Sequence, residues 1–213
     1  MSQTQQKKTI WIFRHGETDW NLQGRMQGGT DIPLNQTGRF QAESLREFFR
    51  NHPVEVFLGS DLGRVRETVG IANQDLKVPE FFDPRLRETN LGQAEGMLAT
   101  EIDARFGAGT IETWRESSPA GQGLSFRFPQ GETKGEHLAR TLKALEEFVA
   151  QTVCSRIGVG SHGGAMRRLV HHFNPDLTAP AMIPNCSVFR ISLNSGVWKM
   201  EAKPSQSPQL LGH

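Results

Sequence analysis

The sequence predicts an α/β fold: a central sheet, mostly parallel with an antiparallel edge, covered by helices on both faces. Two observations predict it. Short runs rich in β-branched and aromatic residues alternate with helical patterns, with no internal repeat or linker. The last two β-rich runs flank Asn194-Ser195-Gly196, a turn that closes a hairpin. We expect one domain over residues 1–213, its core at about 8–202, with a polar disordered start (1–7) and a tail (203–213).

Taken in order, Thr9 to Phe13 is a short apolar run that predicts a buried strand. A helix over about 37–51 should place Phe40, Leu45, Phe48 and Phe49 near one face. Val54 to Gly59 predicts the second strand, and Asp61 to Asn73 a helix capped by Ser60 or Asp61. From Phe106 to Gly131 the sequence loosens into Gly, Pro, Ser and Thr, which predicts a long connection of the lid or binding-loop kind. In it, Trp114, Phe126 and Phe128 read as loop packing. Arg115 and Arg127 read either as contacts for a second anionic group of a substrate or as solvated charges. Glu132 to Thr152 is the clearest helix, apolar at Leu138, Leu142, Leu145, Phe148 and Val149. Arg156 to Ser161 predicts a strand, Gly163 to Phe173 a helix, and Ser187 to Leu193 with Val197 to Glu201 the closing hairpin.

Composition narrows the class. With 24 Lys and Arg against 23 Asp and Glu, the formal charge of +1 argues against broad binding to nucleic acid. No apolar stretch approaches a membrane span, and the polar start lacks the apolar region of a secretory signal. Two cysteines, Cys154 and Cys186, are too few for a disulfide framework. The expectation is a cytoplasmic enzyme with no nucleic-acid or membrane partner; its oligomeric state is left open.

Three predicted strands end in reactive residues: the first in Arg14-His15-Gly16, the second in Ser60-Asp61 with Arg64 just beyond, the third in Ser161-His162-Gly163-Gly164. The crevice beyond the carboxyl ends of such strands is where α/β sheets bind ligands. Arginine forks match phosphate oxygens, and amides at a helix start, such as those of Gly163 and Gly164, favour anions. A neutral imidazole can attack phosphorus, and nearby arginines disfavour its protonation. No metal-ligand spacing is present: His171-His172 are adjacent, and C-x-x-C and H-E-x-x-H are absent.

An ordered series of motifs then appears. It runs Arg14-His15-Gly16-Glu17-Thr18-x-Trp20-Asn21, Gly24-Arg25-x-Gln27-Gly28, Asp31-x-Pro33-Leu34, and Ser60-Asp61-Leu62-x-Arg64-x-x-x-Thr68. It continues with Leu86-x-Glu88-x-Asn90-x-Gly92-x-x-Glu95-Gly96, Gly131-Glu132-Thr133, Ser161-His162-Gly163-Gly164-x-x-Arg167 and Asn185-x-Ser187. This series resembles the histidine phosphatase superfamily, in its phosphoglycerate mutase-like branch. The resemblance implies a three-layer α/β/α fold, no metal or other cofactor, and a small phosphorylated substrate. It makes His15 the nucleophile and Glu88 the proton donor and acceptor, with Arg14, Arg64 and His162 as the phosphate clamp. Asn21 and Gly163 would add contacts to the phosphoryl group, and Gln27-Gly28 would line the pocket mouth. Glu17 neighbours His15, but the signature gives the acid role to Glu88; Asp61 reads as a helix cap or a supporting partner. Departures from the family pattern are Gly59, Thr133 and Ala94, the last expected to loosen packing near Glu88.

The short interval from Glu88 to His162 and the Arg25-Met26-Gln27-Gly28 block resemble the family's phosphatases more than its mutases. The expected activity is phosphomonoester hydrolysis through a phosphohistidine. The alternatives are a phosphoglycerate mutase and a catalytically idle phospho-ligand binder.

Overall fold

The computed structural model describes residues 7–116, 124–175 and 182–205. Six strands form one mixed sheet: β1 (Lys8–Arg14), β2 (Val56–Gly59), β3 (Glu80–Phe82), β4 (Arg156–Ser161), β5 (Val188–Asn194) and β6 (Val197–Ser205), in the order β3-β2-β4-β1-β5-β6. The first four run parallel, and β5 and β6 close the edge antiparallel, as the sequence predicted. Register fixes where the parallel strands end: Arg14 pairs with Ser161, and Gly59 with Gly160. The residues that follow β1, β2 and β4 therefore emerge side by side.

Alternation along β1 builds two cores. Ile10 and Ile12 join Val56, Leu58, Ile157 and Val159 against α6 (Lys134–Gln151) and α7 (Gly163–Phe173). Trp11 and Phe13 face the other way, with Phe57, against α2 (Gln36–Asn51) and α3 (Gly63–Ala72). Each fully buried aliphatic or aromatic side chain contributes about 1.5–3 kcal/mol, so the two faces lock the helices onto the sheet as three layers. Cap chemistry starts two of these helices. Asn35 Oδ1 accepts from the Gly38 amide (2.8 Å) on α2, and Thr133 and Glu136 form a reciprocal box on α6. Thr133 thus fills the cap although it departs from the family pattern.

Backbone contact braces the first strand end. A Cβ on Gly16 would lie 2.2 Å from the Gly38 carbonyl oxygen, and one on Gly38 would lie 2.1 Å from that of Glu17. Only two glycines let α2 approach the Arg14-His15-Gly16 turn this closely.

Some local expectations fail. Phe40 is 59% exposed rather than on the buried face of α2. The third helix begins at Gly63 with Leu62 as its N-cap and no side-chain cap. Asp61 is unavailable because its carboxylate takes Arg87 at 2.7 and 2.6 Å, while Ser60 Oγ accepts only from the Leu62 amide (3.3 Å). The loosened stretch contains α5 (Thr110–Arg115), preceded by α4 (Ala99–Phe106). Leu91, Ala94, Ile102, Ile111 and Phe128 form a third cluster there, with Trp114 and Phe126 packed on it. Ala94, the departure expected to loosen packing near Glu88, is itself fully buried in that cluster. The expected tail overlaps β6, which runs to Ser205; the rest of it, and residues 1–6 of the expected polar start, lie outside the described residues. Among the described residues no helix is long and apolar enough to cross a membrane, and both cysteines are free.

Candidate active site

His15 follows β1 directly, and its amide donates to the Ser161 carbonyl (3.1 Å), which ties the first strand end to the third. The side chain is buried, with Nδ1 2.6 Å from the Gly16 carbonyl oxygen. A carbonyl can only accept, so Nδ1 carries the proton and the lone pair resides on Nε2. Burial, then Arg64 and Arg14, hold the imidazole pKa well below its usual value. The ring is neutral and nucleophilic.

Around it stand groups whose bonding capacity is only partly used. Arg14 donates through Nη1 to the Ile183 carbonyl (2.7 Å), but its buried Nε has no partner among the described residues. Arg64, 0% exposed at the first turn of α3, donates to the Thr30 and Gly28 carbonyls at 2.8 and 2.9 Å and leaves Nε without a partner among the described residues. Burial draws both guanidinium groups down to about 10, still charged at neutral pH. His162 meets His15 edge to face, ring centroids 5.3 Å apart, with neither ring nitrogen partnered. A buried polar group without a partner costs about 1–3 kcal/mol. Three such residues beside one imidazole form a cradle of hydrogen-bond donors whose chemistry suits an anion.

Glu88 completes the set from the connection after β3. Its Oε2 accepts from the Gly164 amide (2.7 Å) at the start of α7, and its Oε1 from the Thr89 amide (2.9 Å) and Arg168 Nη2 (3.1 Å). Burial pushes this carboxyl up, but Arg168, the two amides and Arg64 outweigh it and hold the pKa below the ordinary range. The Gly164 amide, expected to greet an anionic ligand, is instead occupied by Glu88. A Cβ on Gly164 would fall 2.6 Å from Glu88 Oε1, so glycine is what lets the acid approach.

A cavity of about 450 Å³ opens here, lined by Arg14, His15, Arg64, Glu88, Asn21 and Gly163, among others. Asn21 is held by Gln27 Oε1 (3.1 Å) and by Asn185, which also donates to the His15 carbonyl (3.0 Å). Gln27 lines the cavity, but Gly28 does not. The Gly28 carbonyl turns to Arg64, and a Cβ there would meet Glu95 at 2.3 Å, so the residue supports the clamp from behind. His162 is fully buried against His15, and what it offers the cradle is its two ring nitrogens, unpartnered among the described residues. Glu17 accepts from Asn35 Nδ2 (2.9 Å) and so faces α2. Of the two loop arginines, Arg115 lines the cavity, while Arg127 pairs with Glu136 at 3.0 Å in solvent.

Sequence reasoning missed Arg168 and His137, and quoted Glu95 in a motif without giving it a role. Arg168 holds Glu88. His137 Nδ1 accepts from Arg168 Nε (3.1 Å) and its Nε2 faces the Arg87 carbonyl (3.1 Å). Glu95 takes the amides of Gly29 and Thr30 (both 2.8 Å), fixing the loop that feeds carbonyls to Arg64. Arg168 could have been found from its i, i+4 spacing from Gly164, which puts both on one face of α7.

The chain is 32% identical over 199 residues to a protein of Proteus mirabilis named probable phosphoglycerate mutase GpmB, covering 89% of this chain and 86% of that one. Its fold superposes on mycobacterial glucosyl-3-phosphoglycerate phosphatase in complex with VO3, with a TM-score of 0.82 and 26% identity over 93% of this chain and all of that one. YhfR of Bacillus stearothermophilus gives 0.81 and 27% over 92% and 96%. The histidine phosphatase superfamily (branch 1) matches residues 10–204, from the middle of β1 to the last residues of β6. The cradle at the ends of β1, β2 and β4 is therefore built on that family's framework, and the chain belongs to the histidine phosphatase superfamily.

Proposed function

We propose that this chain hydrolyses a small phosphorylated metabolite, without a metal, through a phosphohistidine on His15. The observation that carries the reading is a neutral imidazole, its lone pair on Nε2, set among guanidinium and imidazole nitrogens that lack partners. His15 Nε2 attacks phosphorus while the bond to the ester oxygen breaks. Arg14, Arg64 and His162 hold the non-bridging oxygens. Glu88 is ionised in the ligand-free protein. A phosphate dianion arriving beside it raises its pKa, so it takes up a proton and delivers it to the departing oxygen. It then accepts a proton from the water that attacks phosphohistidine, releasing phosphate and restoring His15. Rapid quench should trap phosphate on the protein in an acid-labile, base-stable form, and His15→Ala should abolish label and turnover. Undiminished turnover in that variant defeats the mechanism. Activity should survive prolonged EDTA treatment; loss restored by Mg²⁺ or Zn²⁺ would defeat the metal-free part.

A mutase is the second reading, favoured by the name of the Proteus mirabilis relative. Given 3-phosphoglycerate with a trace of 2,3-bisphosphoglycerate, the protein should release phosphate rather than form 2-phosphoglycerate. Rapid interconversion with little release would establish the mutase instead.

A further inference from the structure

The cavity holds more positive charge than one phosphoryl group needs. Seven arginines and lysines line it, and Glu88 is the single carboxylate among the described lining residues. A phosphate monoester brings at most two negative charges. Arg14 and Arg64 answer those, and Arg168 is matched by Glu88. Arg25 lies 3.8 Å from Glu101; of the remaining Arg115, Arg167 and Lys134, only Lys134, at the start of α6, is buried.

Lys134 is 5% exposed and lies on the cavity wall. Its Nζ donates to the Glu116 carbonyl (2.6 Å) and sits 4.8 Å from the centre of the Trp114 ring. Among the described residues no carboxylate comes within ion-pair distance of it. Burial first, then Arg168 and Arg167, draw its pKa down to about 8. A buried ammonium with three donors, one of them given to a carbonyl, is an expensive group to keep. Nothing in the phosphoryl chemistry at His15 uses it.

Its position along the cavity is set by α7. Gly163, Arg167 and His171 recur every four residues on the wall, so the lining runs about 12 Å along the helix from the phosphoryl end. Lys134 is near enough to Arg167 and Arg168 for their charges to lower its pKa, and those two stand one turn, or about 6 Å, along α7 from Gly163 and Gly164. His171 lies a turn farther, its Nε2 buried and unpartnered among the described residues. Between these charges the wall is apolar at Leu91, Trp114, Leu124 and Leu138.

We infer that Lys134, with Arg167 and His171 beyond it, forms a second anion subsite, and that the substrate is a phosphomonoester whose organic part has an apolar face and bears a second acidic group, a carboxylate or another phosphate. The inference rests on the phosphoryl end lying at His15 and narrows the substrate class of the proposed hydrolysis.

Phenyl phosphate, 3- and 4-carboxyphenyl phosphate, the methyl ester of each carboxylated compound, and 1,4-phenylene bisphosphate separate these ideas. The wild-type protein should prefer at least one doubly acidic ester over phenyl phosphate by about tenfold in kcat/KM, with the methyl esters losing the gain. Whichever acid is preferred identifies the second group. Lys134→Met, which keeps the stem and removes the charge, should bring that ratio close to one, and Lys134→Arg should retain it. Calorimetric binding of the same esters to His15→Ala should show the same order without turnover. Equal affinity and equal kcat/KM for charged and neutral esters in the wild type would overturn the subsite while leaving hydrolysis intact. A failure to hydrolyse any ester, with the binding preference preserved, would instead strike the proposed reaction and keep the subsite.

Discussion

Arg168 Nη2 lies 3.1 Å from Glu88 Oε1, and the same guanidinium also reaches Thr89 Oγ1 and the ring of His137. The carboxylate proposed as the acid is thus tied to α7 by an ion pair and, through the Gly164 amide, by the start of that helix. Both ties stabilise the carboxylate, so protonation of Glu88 must be driven by the substrate's own charge.

That dependence makes the leaving group decisive. Glu88→Ala should slow phosphorylation of His15 by about 10²–10⁴-fold with an alkyl or sugar phosphate. It should do so far less with p-nitrophenyl phosphate, whose phenolate needs little help. The pre-steady-state burst is the readout, because dephosphorylation is common to both substrates. Equal losses would make Glu88 a positioning group.

Three glycines should behave differently on conversion to alanine. Gly164→Ala drives a methyl into the Glu88 carboxylate, a side-chain end that can turn aside where a backbone carbonyl cannot, so it should cost about 10²-fold or more with poor leaving groups and less stability than Gly16→Ala. Gly16→Ala meets the rigid Gly38 carbonyl and should cost more than about 3 kcal/mol of stability. Gly70→Ala, in α3 with open space around it, should stabilise by about 0.5–1 kcal/mol. Activity assays with urea melts on the three variants check the order.

Acid should weaken the fold at the site. His15, His162 and His137 are each held well below the usual imidazole pKa, by burial and then by neighbouring arginines. Below about pH 6.5 the unfolded chain binds protons that the native state refuses, so stability is full above that value and falls as pH drops. The slope is up to about 1.4 kcal/mol per pH unit for each histidine, or about 4 for the three together. Urea unfolding at pH 7.5, 6 and 5 should show this loss, and His162→Asn should remove about a third of it. Equal stability at all three values would mean that the imidazoles take up protons in the native protein as readily as in the unfolded chain.

Much of this site was legible because its chemistry sits at strand ends, where a run such as Ile10 to Phe13 breaks into Arg14-His15-Gly16. Elements lacking such a break were missed. The three residues of β3 offer too short a run for period-two alternation, and Phe81 is itself exposed. The helix over Ala99–Phe106 buries Ile102 alone and so presents almost no stripe. Asp61 has the composition of a cap, yet a partner 26 residues along the chain, Arg87, competes for the same carboxylate and wins. His137 carries no local signature, since it matters through its contact with Arg168 across α6 and α7, and Arg168 offers only its spacing from Gly164. Gly28 stands in a motif that puts it at the pocket mouth, but its place behind Arg64 depends on the direction of its carbonyl, which a sequence does not show.

The third cluster, built from Leu91, Ala94, Ile102, Ile111 and Phe128, has a consequence for how this enzyme could change its diet. It supports Trp114 on the cavity wall, yet it shares no residue with the two cores that clamp the sheet. Substitutions in α4 and α5 can therefore be absorbed by this lobe's own interior while His15 and its arginines stay where the strands put them. Reshaping selectivity by grafting that lobe is a smaller engineering problem than moving the nucleophile, and it can proceed without renegotiating the chemistry.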